Sequence, residues 1–378
     1  MFVLWIVGVL LLAALASYAI VGLAVRHGGS LGMVDVPRAG EVQLRAVPRN
    51  GGYGMLAAIW LAVGLAVFAR PAELQAAPGD DWKLLGVMLG TLLIVPLALV
   101  DDSRRLGASA QLLGQIAIAA VPVAFGLRID SIASPLGSAI ELPPWLGMLL
   151  TVLWIVGMIN AINLIDVMDG LAGGIALMGA CVLFVRSLLF GQYTIAVLPL
   201  ALAGATLGFL PHNFHPARIF MGTSGSVLLG YWLATMSVIG GAKVGTAFVV
   251  LGVPILNTAW VIGRRVLAGR SPFQGGDSEL LPQRLHALGF SQPKAVLLLY
   301  LICATFGLLS LTLHAPVEGP YLTPPMTKLW LMLAMVGVMG VVLATVTYLS
   351  VRQQGRRSQE SGVRSQESAG AGESAIRP

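Results

Sequence analysis

Apolar residues dominate eleven stretches of the chain: roughly 2–25, 51–69, 83–100, 109–126, 144–162, 170–189, 192–210, 219–240, 243–262, 294–313 and 327–350. At a rise of about 1.5 Å per residue, each can cross a hydrocarbon core about 30 Å thick. The pattern predicts an all-α, polytopic integral membrane protein of about 11 transmembrane helices. Two stretches, 170–189 and 192–210, are joined by little more than Gly191 and predict a tight helical hairpin. The first, Phe2 to Val25, lacks a basic leader and a small-residue cleavage site, and reads as a retained span. Beyond about residue 353 the pattern ends. "RSQESG" at 357–362 returns as "RSQESA" at 364–369, with nothing apolar to bury. The division is a transmembrane domain over 1–352 and a disordered tail over 353–378.

Loop charge gives an orientation. One set of connections collects Arg26, Arg38, Arg45, Arg49, Arg104, Arg105, Arg218, Arg264, Arg265, Arg270 and Arg284, with Arg352, Arg356 and Arg357 in the tail. The other holds only Arg70, Lys83, Arg128, Lys243 and Lys328. The positive-inside rule makes the first set cytoplasmic, so the expected topology is N-out/C-in. Composition agrees: 57% of residues are hydrophobic and 11% charged, which excludes soluble classes. The net charge of +6 fits loop bias, and no nucleic-acid partner is expected. Cys181 and Cys303 sit inside apolar runs and read as small buried hydrophobes.

Charge is expensive at membrane depth, so the carboxylates carry the candidate chemistry. Asp101 and Asp102 close the third stretch in "VDDSRRLGASAQLLGQ"; Asp166 and Asp169 follow the fifth in "NAINLIDVMDGLAGG". Asn160, Asn163 and Asp166 recur at i, i+3, i+6 and share a helix face. Taken alone, "DDSRR" reads equally well as a solvated loop; for Asn160, Asn163, Asp166 and Asp169 plain interhelical hydrogen bonding is the weaker reading, because two carboxylates at one apolar helix end need a cation or donor nearby. Two carboxylate pairs in one cytoplasmic cleft suit Mg²⁺, which takes few protein oxygens and keeps substrate phosphates. Phosphoryl transfer needs mainly positioning and charge neutralisation. The arginines and "FMGTSGS" (220–226) offer phosphate contacts.

These motifs resemble those of the polyprenyl-phosphate N-acetylhexosamine-1-phosphate transferases. That family includes undecaprenyl-phosphate GlcNAc-1-phosphate transferases and phospho-N-acetylmuramoyl-pentapeptide transferases. Besides the two acidic stretches, "DVP" (35–37) with "VPRNGG" (47–52), "GFLPHNFHPARIFMGTSGSVLLG" and "RRVLAGRSPFQGGDSELLPQRLHALG" match in order. The resemblance implies transfer of a sugar-1-phosphate from a UDP-sugar to a membrane polyprenyl (undecaprenyl) phosphate, with Mg²⁺ (or Mn²⁺) and release of UMP. It places the protein in the bacterial inner (plasma) membrane, in cell-envelope polysaccharide synthesis. Carried over residue by residue, it makes Asp101, Asp102, Asp166 and Asp169 catalytic, with Asp101, Asp102 and Asp166 as metal ligands. Substrate contacts are Arg49, Asn160, Asn163, Gly222, Thr223, Ser224 and Asp277. The sugar is left open, as is the choice between monomer and homodimer.

The chain also departs from that pattern. Thr223 stands where the family has a metal-binding aspartate. Leu280, Pro282 and Gln283 replace histidines of the last loop, and Gly40, Glu41 and Gln43 replace basic positions of the first. His212, His215, Glu41 and Glu279 could return some charge, though each reads more simply as a structural or solvated residue. The rival reading is a catalytically silent relative that binds lipid or a partner subunit. A transporter fits less well, since the polar residues gather at one membrane face. Geometry separates these readings. Carboxylates gathered around one point favour the enzyme; direct neutralisation by Arg49, Arg104 or Arg105 favours the silent relative.

Overall fold

A helix occupies each apolar stretch. The computed structural model describes residues 2–28, 33–35, 46–71, 78–104, 106–132, 140–239, 244–271, 280–312, 329–330 and 332–353. Asp277, Glu279, Arg105, the altered first-loop positions 40, 41 and 43, and the tail beyond 353 lie outside them. The helices are α1 (Phe2–His27), α2 (Gly51–Phe68), α3 (Asp80–Arg104), α4 (Ala108–Ala124), α5 (Pro144–Ile165), α6 (Leu171–Leu189), α7 (Val197–Asn213), α8 (Gly222–Val238), α9 (Val244–Val250), α10 (Gly252–Leu267), α11 (Leu281–Ala287), α12 (Gln292–Thr312) and α13 (Met332–Gln353). Two short antiparallel ribbons join them: β1 (Val34–Asp35) with β2 (Val47–Pro48), and β3 (Ser131–Ile132) with β4 (Ile140–Glu141).

Among the described residues, seven helices are individually long and apolar enough to cross a membrane: α1, α2, α3, α5, α6, α12 and α13. An eighth span arises if α9 and α10, bent by 78° at Leu251, count as one. α4, α7 and α8 have 17 residues each. At that length a helix reaches about 26 Å, slightly short of the hydrocarbon core. The hairpin expected around Gly191 is wider than its sequence suggests. Gly191 adopts a positive φ of 67°, but α7 begins only at Val197.

The bundle is layered by composition. α8 is apolar on all sides, and nearly every residue from Ser224 to Val238 is buried, as a helix without a polar face requires. It packs on α2, α3, α5, α6, α7 and α9. Tyr231 donates to Val87 O of α3 at 2.9 Å, and Trp232 Nε1 to Thr91 Oγ1 at 3.0 Å, so its polar atoms are satisfied inside the bundle. α1 and α13 lie outside, with Leu4, Leu15, Val341 and Tyr348 exposed. An apolar rim of this kind belongs against lipid. Cys303 is buried as expected, whereas Cys181 faces outward from α6.

Candidate active site

The site forms where the ends of α3 and α5 meet the start of α8. The segment before α2 is zipped onto the segment before α8. Phe220 N donates to Pro48 O (2.8 Å), Gly51 N to Phe220 O (3.0 Å) and Gly52 N to Met221 O (3.0 Å). This contact demands glycine: a Cβ on Gly52 would lie 2.1 Å from Gly225 N. Gly222, at φ 66°, would likewise press a Cβ to 2.2 Å from Arg49 O. "RNGG" and "FMGTSG" are therefore one docked unit, and it delivers Arg49 and Tyr53 to the aspartates.

Arg49 Nη2 lies 3.0 Å from Asp102 Oδ1, and Tyr53 donates to Asp102 Oδ2 at 3.3 Å. The Asp102 side chain is only 2% exposed, yet its Oδ1 accepts no hydrogen bond among the described residues. Asp101, one residue earlier, accepts three hydrogen bonds. Its Oδ1 accepts from Leu106 N (2.9 Å) and Gln111 Nε2 (2.8 Å), and its Oδ2 from the Thr223 hydroxyl (2.6 Å).

The second acidic pair sits on the turn between α5 and α6. Asn213 of α7 accepts from Gly170 N (3.0 Å), and Tyr300 of α12 donates to Gly170 O, fixing that turn. Asp166 is the residue that ends α5. It has no hydrogen-bond partner among the described residues. Burial raises its pKa to about 7, helped by the nearby Asp169 charge and opposed by Arg49. A carboxylate at a helix C-terminus adds to the dipole's negative end, which strengthens its demand for a cation. Asp169 is partnered: Oδ2 meets His215 Nδ1 at 2.9 Å and accepts from Ala217 N at 3.1 Å.

The asparagines serve as links between helices. Asn160 Nδ2 donates to Gln115 Oε1 of α4 at 2.6 Å, and Asn163 Oδ1 accepts from Ser226 of α8 at 2.9 Å. Ser224 is buried and donates to Met221 O at 3.2 Å. His212 Nδ1 faces Arg218 Nη2 at 3.1 Å. A guanidinium only donates, so this nitrogen accepts and Nε2–H points at Tyr18 O, 3.1 Å away. That makes His212 a neutral strut.

Asp101, Asp102, Thr223, Asn163 and Arg49 are thus tied into one end of the bundle, adjoining the turn that carries Asp166 and Asp169. Among the described residues, no three His, Cys, Asp or Glu side chains group closely enough to hold a metal by themselves. Sequence reasoning gave Gln111, Gln115 and Tyr53 no role and set His215 aside. A histidine three residues after another, on a proline-flanked loop, carried the only signal for His215.

The description of glycosyl transferase family 4 matches residues 84–241. A probable undecaprenyl-phosphate N-acetylglucosaminyl 1-phosphate transferase of Bacillus subtilis is 37% identical over 292 residues, covering 75% of this chain and 78% of the relative. A decaprenyl-phosphate N-acetylglucosaminephosphotransferase of Mycobacterium leprae is 36% identical over 324 residues, covering 77% and 79%. A phospho-N-acetylmuramoyl-pentapeptide-transferase of Moorella thermoacetica is 33% identical over 300 residues, covering 74% and 88%.

Proposed function

The chain belongs to glycosyl transferase family 4, and from that premise we propose that it moves an N-acetylhexosamine-1-phosphate from a UDP-sugar onto a membrane polyprenyl phosphate. An oxygen of the lipid phosphate attacks the sugar-linked phosphorus. The new P–O bond forms as the bond to UMP breaks, and UMP leaves. The observation that carries this reading is the joining of Arg49, Asp102 and the start of α8 next to an Asp166 that has no hydrogen-bond partner among the described residues. The Lys and Arg distribution supports eleven crossings with this end of the bundle in the cytoplasm, where UDP-sugars are made.

The donor set fits Mg²⁺ or Mn²⁺ in a narrow way. Mg²⁺ uses one or two protein carboxylates and fills its remaining positions with water and phosphate oxygens. Among the described residues Asp166 has no hydrogen bond and Asp102 Oδ1 has only the Arg49 ion pair, so these are the oxygens that would hold it, with the Arg49 guanidinium turned to the phosphates. When bound, the cation supplies charge neutralisation for the diphosphate. The chain's own residues do the rest. Arg49 offers a guanidinium to phosphate oxygens, the first turn of α8 offers its dipole, and His215 is oriented by Asp169.

One observation fits the silent-relative reading: Arg49 pairs directly with Asp102. A single assay separates the two. Purified protein with undecaprenyl phosphate, UDP-GlcNAc and Mg²⁺ releases UMP, and Asp166→Asn abolishes the release. Wild-type protein inert across UDP-sugars ends the transferase reading.

A further inference from the structure

We propose that Thr223 is a positioning residue: its hydroxyl fixes the Asp101 carboxylate as a buried hydrogen-bond acceptor joining α3, α4 and α8, and so takes Asp101 out of the cation's ligand set. This rests on the transferase reading above and refines which aspartates serve it.

A carboxylate offers about four acceptor sites. Three of those on Asp101 are filled, at 2.9, 2.8 and 2.6 Å, and the residue is 6% exposed. Mg²⁺ binds oxygen at about 2.0–2.1 Å and holds a rigid octahedron of further oxygens. The one acceptor site left, on Oδ2 beside the Thr223 hydroxyl, belongs to a buried carboxylate and leaves little room for that octahedron. Asp166 presents the opposite case, with no hydrogen bond to lose among the described residues, and Asp102 Oδ1 carries only its ion pair with Arg49 at 3.0 Å.

The donors come from three places. Leu106 lies on the turn after α3, Gln111 on α4, and Thr223 in the first turn of α8. Asp101 accepts only, so the Thr223 hydroxyl must donate, and the 2.6 Å separation is that of a charge-assisted bond. Asp102 follows Asp101 directly on the last turn of α3, beside the Arg49 guanidinium. Thr223 therefore holds Asp101 directly and Asp102 only through the helix turn the two share. Loosening that contact shifts the turn, and with it the Asp102–Arg49 pair.

Three measurements on the purified full-length chain test this. The first titrates Mn²⁺ and follows free Mn²⁺ by electron paramagnetic resonance. Asp101→Asn keeps acceptors for its neighbours, and its affinity is expected within about threefold of wild type, whereas Asp166→Asn loses about tenfold or more. Equal loss in both variants overturns the proposal. The second compares Thr223→Ser with Thr223→Val in UMP release. Valine is expected to lower kcat about tenfold or more, the usual effect of losing a hydrogen bond to a charged group, with KM for UDP-GlcNAc nearly unchanged. Serine is expected to restore most of it. Valine matching wild type, or serine as impaired as valine, overturns the proposal. The third holds even in an inert protein. Amide exchange at Leu106 accelerates in Thr223→Val and not in Thr223→Ser, and unchanged exchange in the valine variant refutes the positioning role. If Mn²⁺ binding and turnover fail in wild type while the exchange result holds, the transferase reading falls and the Thr223–Asp101 contact stands.

Discussion

Asp166 carries the sharpest expectations at the scale of single residues. Its pKa is raised to about 7, above the ordinary carboxylate value, by burial first and Asp169 second. For an acid shifted upward, ionisation costs folding free energy, so this group's cost is absent below about pH 4 and grows as pH rises toward 7. A bound cation reverses the balance by favouring the ionised form. Cation affinity should therefore fall as pH drops below about 7, and binding near pH 7 should release a fraction of a proton. Calorimetry in buffers of different ionisation enthalpy measures that release, and Asp166→Asn should abolish it. His215 gives a second expectation. Its Nδ1 rests on Asp169, so His215→Ala frees a carboxylate beside Asp166, and UMP release should drop about tenfold or more. His215→Asn, which keeps a donor for Asp169, should recover part of that loss.

At the scale of elements, the docking of "RNGG" on "FMGTSG" decides whether the site exists. Gly52→Ala drives a methyl to 2.1 Å from the Gly225 backbone. The expected cost is about 3 kcal/mol, as for an overpacked core, and it shows as a lower Tm and lost activity together. Gly64→Ala, with open space around the added Cβ, should leave Tm within a degree or two. The acidic pairs were legible in the sequence because charges at the ends of apolar helices stand out. Their partners were not. Thr223 meets Asp101 across 122 positions of sequence and His215 meets Asp169 across 46, and hydrophobic periodicity says nothing about which helix ends meet. Gln111 and Gln115 were invisible for the same reason: a glutamine in a helix gains meaning only from the neighbour it reaches.

For the molecule as a whole, the apolar pattern located the long helices, though not the short α11 (Leu281–Ala287), and an all-α membrane bundle followed from it. Length alone was less informative. α4, α7 and α8 are short, and the α9–α10 pair is broken, so the number of crossings has to be read from connectivity and charge. Cysteine labelling of intact cells tests the eleven-span, N-out/C-in arrangement. In a Cys181→Ala, Cys303→Ala background, Gly79→Cys should react with an impermeant maleimide added outside. Gly107→Cys should react only after permeabilisation. Reversal of that pattern would place the site on the other face.

The enclosed position of α8 bears on how the protein is made. Five of the helices it packs on, α2, α3, α5, α6 and α7, precede it in the chain, and α9 follows. Synthesis runs from the N-terminus, so the slot for α8 is assembled before the ribosome supplies the helix that fills it. Insertion errors upstream would leave that segment without a berth, and quality-control proteases would meet it as an orphan in the lipid.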